Sequence, residues 1–256
     1  MQKISIQSTE KIYYQNMLLS SCSAKIIDIG ESFIVTDRTI AFPEGGGQEG
    51  DRGEIIFNDN SKIAFIDTKK RYGTPVYLDD FPTINIDTQI CHFVPPEDQS
   101  KLSAISIGDS VTIKININRR EKLTISHTAS HLLYLGVAQF RPDAVENIIG
   151  CHIKEEGARF DFSITEKFDQ DLIQKVTLFA NEMAKDNLPI KLYPHEKNPD
   201  AWFWECDNKK IPCGGTHLQA TGGIGNIIVK RKNIGKGKDR IMCTFPDASM
   251  NLGKYE

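Results

Sequence analysis

At 256 residues, with 39% hydrophobic and 25% charged side chains, the chain can bury a core and has the balance of an ordinary globular protein, which excludes a disordered or fibrous one. A formal net charge of −3 excludes whole-molecule attraction to a polyanion, so any grip on nucleic acid has to come from a local basic patch. No run approaches the ~20 apolar residues of a membrane helix, and residues 1–15 carry no apolar signal core, so a cytoplasmic protein is expected.

From Ile12 to about Leu78 the sequence reads as short strands, Ala24–Ile29, Phe33–Thr36, Glu54–Phe57, Lys62–Asp67 and Pro75–Leu78, separated by turn residues. Strands at this spacing predict a small β-barrel. Within it, AFPEGGGQEGDRG holds Gly45, Gly46 and Gly47, which let the backbone approach a neighbour closely or simply turn a hairpin. No Gly-Lys-Ser/Thr follows, so this is not a phosphate-binding P-loop. The polar, proline-bearing stretch Phe93–Ile105 reads as a connection, which divides the chain into residues 1–95 and 96–256.

The second unit opens with SVTIKININ, where Val111, Ile113, Ile115 and Ile117 alternate with polar residues in the period of a half-buried strand. Asn118 with Glu121 three residues later predicts a helix cap, and a helix from about Arg119 to Phe140 that stops before Pro142. Its core face is Ile125, Ala129, Leu132, Leu133, Gly136 and Phe140, which places His127 and His131 at the edge of the core beside Leu123 and Tyr134. ARFDFS alternates as a strand, and Leu172 to Met183 repeat at helical spacing before Pro189. Ile190–Tyr193, Asn226–Lys230 and Arg240–Phe245 follow as strands, the last two joined by NIGKGKD. Without a regular βαβ alternation, the expected class is α+β.

Two pairs carry the chemistry. HTASHLL sets His127 and His131 four residues apart, on one face of a helix, and CGGTH sets Cys213 and His217 at the same spacing around a glycine turn. Three imidazoles and one thiol suit zinc. Residue 128 is Thr, so the glutamate base of an HExxH metalloprotease is missing. Of six scattered cysteines only Cys213 has a histidine at ligand spacing; the others read as small buried hydrophobes, and no disulfide-linked partner is expected.

HTASHLL, CGGTH, FPEGGGQEGDRG and ARFDFS, in this order from about Thr9 to Phe245, resemble the editing module of alanyl-tRNA synthetases and its free-standing relatives, the AlaX-type editing proteins. The resemblance implies an N-terminal β-barrel carrying the GGGQ loop, followed by an α+β metal-binding editing domain. It implies a trans-acting hydrolase that cleaves serine, and sometimes glycine, from mischarged alanine tRNA. No room remains for the adenylate-forming domain of a synthetase. His127, His131, Cys213 and His217 correspond to the metal positions of the family, with His127, His131 and Thr128 as the catalytic candidates. Four protein ligands would close the metal site, whereas three would leave it a free position for water, and both arrangements stay open.

Gly45, Gly46, Gly47 and Gln48 would lie near the aminoacyl end, and Thr128 would reach a seryl hydroxyl. His152, in a Gly-x-His-Ile segment common among the free-standing proteins, would line the pocket; Ile148 stands where the synthetase-borne version carries glutamine. Lys230, Arg231, Lys232, Lys236, Lys238 and Arg240, against the single acid Asp239, form a basic patch suited to tRNA phosphates, extended by Arg119 and Arg120; the bland alternative is a solvated hairpin. His92 and His195 read as structural. Two other functions stay open: a non-catalytic zinc-stabilised tRNA-binding module, and a deacylase of another mischarged tRNA, such as threonine tRNA carrying serine.

Overall fold

The protein is described by a computed structural model over residues 7–249. Residues 1–6 of the first expected unit, which begin the stretch read as lacking a signal core, and residues 250–256 of the second lie outside the described residues. Strand pairing dominates the first half. A two-residue strand β1 (Glu10–Lys11) and a helical turn α1 (Ile12–Gln15) precede β2 (Ser21–Ile29), β3 (Phe33–Thr36), β4 (Arg38–Thr39), β5 (Gly53–Phe57), β6 (Lys62–Phe65) and β7 (Asp67–Arg71). A hairpin of β8 (Thr74–Leu78) and β9 (Phe81–Ile86) follows, then β10 (Gln89–Phe93) and, after a 3-10 segment over Pro96–Ala104, β11 (Ser110–Ile115).

Seven of these strands form one antiparallel sheet in the order β6-β5-β11-β2-β3-β10-β7. A register shift between Ile26 and Asp28 bends the long strand β2, so its first part pairs with β11 and its second with β3. The two edge strands β6 and β7 are consecutive in sequence and separated only by Ile66, whose N–H donates to Phe93 O at 2.8 Å. The sheet therefore curls until its edges meet in one bent chain, but no ladder joins β6 to β7, and a closed barrel is not found among the described residues. The expected alternation in β11 holds: Val111, Ile113 and Ile115 are buried with Ala24, Ile26, Ile55 and Phe65, while Lys114 is exposed. Strand β11 thus belongs to the first sheet, although it follows residue 95.

Buried His92 on β10 shows how this sheet treats polar groups. Its Nε2 meets Thr39 Oγ1 at 2.9 Å and its Nδ1 meets Ile34 O at 3.1 Å. Burial pulls its pKa from 6.5 down to about 4, against the raising effect of the Ile34 carbonyl. The unfolded chain takes up a proton at this position below 6.5 and the folded chain does not until about 4, so stability is intact at neutral pH and is lost as pH falls through that interval. The residue accounts for on the order of 3 kcal/mol of acid destabilisation. Urea titrations at several pH values check this: His92→Gln is expected to have a shallower acid dependence than the native chain.

The second half begins with helix α2 (Ile117–Phe140), followed by the turn α3 (Pro142–Val145), β12 (Ile148–Lys154), β13 (Gly157–Ser163), helix α4 (Gln170–Lys185), β14 (Lys191–His195), β15 (Asn198–Cys206), β16 (Lys209–Pro212), β17 (Ile228–Gly235) and β18 (Lys238–Thr244). The order β12-β13-β18-β17 makes an antiparallel sheet, and β14-β15-β16 makes a smaller one. Ala158, Phe160 and Phe162 of β13 and Ile241 of β18 are buried with Leu132, Leu133, Val176 and Ala180 of the two helices. The chain is thus α+β. The two-strand end is tighter than read from sequence, because β17 and β18 run on to a turn at Lys236-Gly237.

Helix α2 begins earlier than expected. Asn116, in extended conformation, caps it by accepting from Arg119 N at 3.1 Å; Asn118 is already inside the helix. From Arg119 to Val137 nearly every residue is buried, so the helix is enclosed on all sides, while Phe140 is 39% exposed and does not join the core face. Arg119 and Arg120 are buried as well and do not extend a surface patch. Arg120 makes a buried bidentate pair with Asp51, its Nε lying 3.0 Å from Oδ2, and donates to Ile40 O and Met17 O at 2.7 and 3.0 Å. Arg119 donates to Gly50 O at 3.1 Å and reaches Glu49 at 2.8 Å and Glu155 at 2.5 Å. These two arginines fasten the glycine loop of the first sheet to the helix that carries the histidines.

Candidate metal centre

His127 and His131 project from α2 one turn apart, and Cys213 and His217 arrive on the non-helical segment after β16. One ligand atom from each of the four lies within 4.8 Å of the others, so the cluster can hold a metal ion. Cys213 Sγ is 3.4 Å from His127 Nε2 and 3.3 Å from His217 Nε2, and the three ring centroids are 4.2 to 5.1 Å apart. Cys213 N is tied to Trp202 O of β15 at 2.8 Å, which fixes where the segment starts. Gly215 has to be glycine for space: a Cβ there would sit 2.1 Å from His127 Cε1.

The neighbours set the tautomers. Gln48 Oε1 accepts from Thr216 N at 3.1 Å, which identifies it as the carbonyl oxygen, and it lies 2.7 Å from His127 Nδ1. Nδ1 must therefore carry the proton, and the Nε2 lone pair is left facing Cys213. Thr128 Oγ1 donates to Thr124 O at 2.8 Å, accepts from Leu218 N at 3.0 Å and lies 3.4 Å from His217 Nδ1, which orients that ring the same way. His131 packs edge-on against the fully buried Trp204 at 4.6 Å. Its Nδ1 is buried without a hydrogen-bond partner among the described residues.

Burial pulls the His127 pKa down to about 3, and burial with the neighbouring imidazoles holds His131 and His217 far below the usual range. All three rings are neutral, as metal ligation requires. The Cys213 thiol is pushed up to about 12 by burial, partly offset by the Gly215 amide. Three neutral imidazoles, two of them with lone pairs preset by Gln48 and Thr128, and one thiol whose ligand atoms lie within 4.8 Å of one another fit a resident cation. Gln48→Ala removes the tautomer-fixing contact, and a 10- to 100-fold loss of metal affinity is expected. Competition with a chromogenic chelator measures it.

A cavity of about 560 Å³ opens beside the cluster. His127, His131 and Cys213 form part of its wall with Gly45, Gly46 and Gly215, and apolar surface comes from Phe42, Tyr134, Ile148 and Phe160. Of the expected site residues, Gly45 and Gly46 line it. Gly47 and Gln48 lie behind, Gln48 fully buried against His127. Thr128 is also fully buried, its hydroxyl spent on Thr124 and Leu218 and away from the cavity. His152 faces Glu49 at 3.0 Å and does not line the cavity. Sequence reading gave no role to Trp204, Thr124 or Thr216, although Thr216 lies within CGGTH, nor to the cavity residues Tyr14, Lys70 and Asp200 and strand β9, because they meet only when separate elements pack together. All six cysteines are free, and Cys22 and Cys151 are part-exposed and not buried.

The basic residues divide by face. Register sets Lys230 opposite Met242 and Lys232 opposite Arg240, with Arg159 of β13 opposite Met242, so these side chains share the outer face of the sheet. Lys154 of β12 falls on the same face. Arg231 points the other way and makes a bidentate pair with buried Asp239 at 2.8 Å, and Arg240 is held by Asp161 at 2.6 and 2.9 Å. Lys230, Lys232, Lys236 and Lys238 are exposed without an ion pair among the described residues.

Known proteins resemble this chain over the same span. No family model matches it. The alanyl-tRNA editing protein AlaX-M of Pyrococcus horikoshii is 29% identical across 92% of this chain and 97% of its own length. An alanine–tRNA ligase of Saccharolobus islandicus is 27% identical across 92% of this chain, and one of Parabacteroides distasonis is 30% identical across 81%. The chain spans only 26% and 23% of those ligases. Over nearly its whole length, then, the chain is similar to a free-standing alanyl-tRNA editing protein, and it matches alanine–tRNA ligases over about a quarter of theirs.

Proposed function

We propose that the protein is an aminoacyl-tRNA deacylase that hydrolyses the ester of mischarged alanine tRNA, with serine, and secondarily glycine, as the amino acid removed. The observation that carries this reading is the convergence of His127, His131, Cys213 and His217 on one point, with the first three in the wall of an open cavity. The full-length similarity to an alanyl-tRNA editing protein supports it. The cation is zinc, held by those four side chains; when bound it supplies Lewis acidity toward an ester carbonyl and its attacking water.

The chain's own residues do the rest. His127 and His131 line the cavity, and Gln48 and Thr128 hold the rings of His127 and His217 in position. Thr128 is thus a positioning residue, acting through His217. Gly45 and Gly46 let the aminoacyl end approach the wall, and Tyr134, Phe160 and Ile148 exclude bulk water around it. His152 braces the loop through Glu49. Lys230, Lys232, Lys236, Lys238 and Arg240, with Arg159 and Lys154, offer the tRNA backbone a basic sheet face, while Arg231 anchors the edge strand on Asp239. We further infer two units, 1–95 and 96–256, with the first unit barrel-like and its sheet completed by β11 of the second. No helix among the described residues is long and apolar enough to cross a membrane, and the cytoplasm, where tRNA is charged, is the proposed location.

The closed four-ligand arrangement favours one other reading, a metal-braced tRNA-binding module. Incubation of metal-replete protein with seryl-tRNA for alanine decides between them. Ester loss well above the spontaneous rate is expected; tight binding without hydrolysis would leave only the module, and faster loss from seryl-tRNA for threonine would move the substrate.

A further inference from the structure

Three charged side chains line the cavity: Lys11, Lys70 and Asp200. Lys11 takes the carboxylate, its Nζ lying 2.6 Å from Asp200 Oδ2. Lys70, from β7, makes no hydrogen bond or ion pair with any described residue. Its neighbours along the strand differ: Lys69 pairs with Asp67 at 3.1 Å, and Arg71 pairs with Asp28. Lys70 is exposed on the cavity wall, and neighbouring protein that partly desolvates its ammonium, with Lys11 alongside, draws its pKa below the usual lysine range against the pull of Asp200. The cavity wall therefore carries one ammonium group without a direct ion-pair partner among the described residues.

The glycine loop supplies a second donor beside it. Gly45 and Gln48 exchange backbone bonds at 3.1 and 3.0 Å, which closes the turn and leaves the amides of Gly46 and Gly47 without a partner among the described residues. Gly46 adopts φ +60, and a Cβ there would meet nothing within 4 Å, so no side chain packs over that side of the turn. Lys70 Nζ lies 3.8 Å from the position that a Gly45 Cβ would take, on the same stretch of wall. An ammonium beside an unpartnered, positive-φ backbone amide is an arrangement that binds oxyanions.

We propose that Lys70 and the Gly46 amide form a phosphate subsite in the cavity, which receives the phosphodiester nearest the ester end of an RNA 3′ terminus. This rests on the deacylase reading and adds to it the group that sets how deep the 3′ end sits. The outer sheet face grips the helix of the RNA through many exchangeable phosphates, whereas this subsite contacts a single one next to the reacting ester. The ester is thereby brought to the cluster in register, and free seryl esters that lack the phosphate are bound poorly.

The test uses two non-hydrolysable probes, 3′-deoxy-3′-(serylamino)adenosine with and without a 5′-phosphate. Native protein is expected to bind the phosphorylated probe about tenfold more tightly. Lys70→Ala should bring that ratio close to one, Lys70→Arg should preserve most of it, and Lys69→Ala should leave it unchanged. An undiminished ratio in Lys70→Ala, or no preference in native protein that deacylates seryl-tRNA, overturns the subsite while sparing the deacylase reading. Native protein that neither deacylates seryl-tRNA nor binds either probe overturns both.

Discussion

Replacing Cys213 by Ser or His131 by Ala is expected to lower metal affinity more than about a hundredfold and to remove deacylation. A bound metal would meet ligand atoms that the described residues crowd together and leave partly unpaired. His131 Nδ1 is buried and unpaired, and the Cys213 thiol is surrounded by imidazoles and apolar surface. Metal binding to the folded chain alone raises its stability by mass action, by about 2.7 kcal/mol when free metal is a hundred times its dissociation constant. Native protein should therefore melt at higher temperature when metal is added, and the Cys213→Ser variant should show no such shift. Calorimetric titration and thermal melts with and without metal read both effects. A variant that keeps full metal affinity but loses activity would make that residue a participant in the chemistry and not a ligand.

The second large effect concerns stability. Asp51→Asn should destabilise the fold by about 3–5 kcal/mol, because it leaves the Arg120 guanidinium buried and without its counter-charge. Both side chains are almost completely inaccessible, so solvent cannot take over the pairing. Asp51 also accepts from Phe42 N at 2.7 Å, at the start of the glycine loop, and Arg120 lies seven residues before His127 on the same helix. The pair thus couples loop and helix, and its loss is expected to loosen the Gln48 contact with His127 as well. The double variant Asp51→Asn, Arg120→Met should cost less than the sum of the single changes, since the second removes the charge that the first left stranded. Urea unfolding gives the energies, and chelator competition gives the effect on the site.

Elements with one buried face were legible in the sequence. The alternation in β11 and β13 and the helical repeat in α4 appear in the structure where the residues place them, because a one-sided core leaves its period in the chain. Among the strands missed were β9, β10, β12, β15 and β16. β10 is buried on both faces, and β15 carries Trp202 and Trp204 among polar residues, so neither has a clean period. Helix α2 was seen but its surroundings were not: Arg119 and Arg120 read as part of a basic surface patch and Glu121 as part of a cap, yet all three are buried, and the arginines pair with the glycine loop.

What the sequence determined by itself was the donor set. Two residue pairs at four-residue spacing named the metal cluster, because a helix turn and a glycine turn each bring such a pair onto one side whatever the rest of the chain does. Tertiary structure decided everything that depends on distant segments meeting. It turned Gln48 and Thr128 from expected substrate contacts into supports for His127 and His217. It turned Arg119 and Arg120 inward, and Arg231 toward Asp239. It put Lys70 unpaired on the cavity wall. Each outcome follows from strand register and from which surfaces cover one another, and local sequence carries neither, since a single-residue shift in pairing moves every side chain to the opposite face.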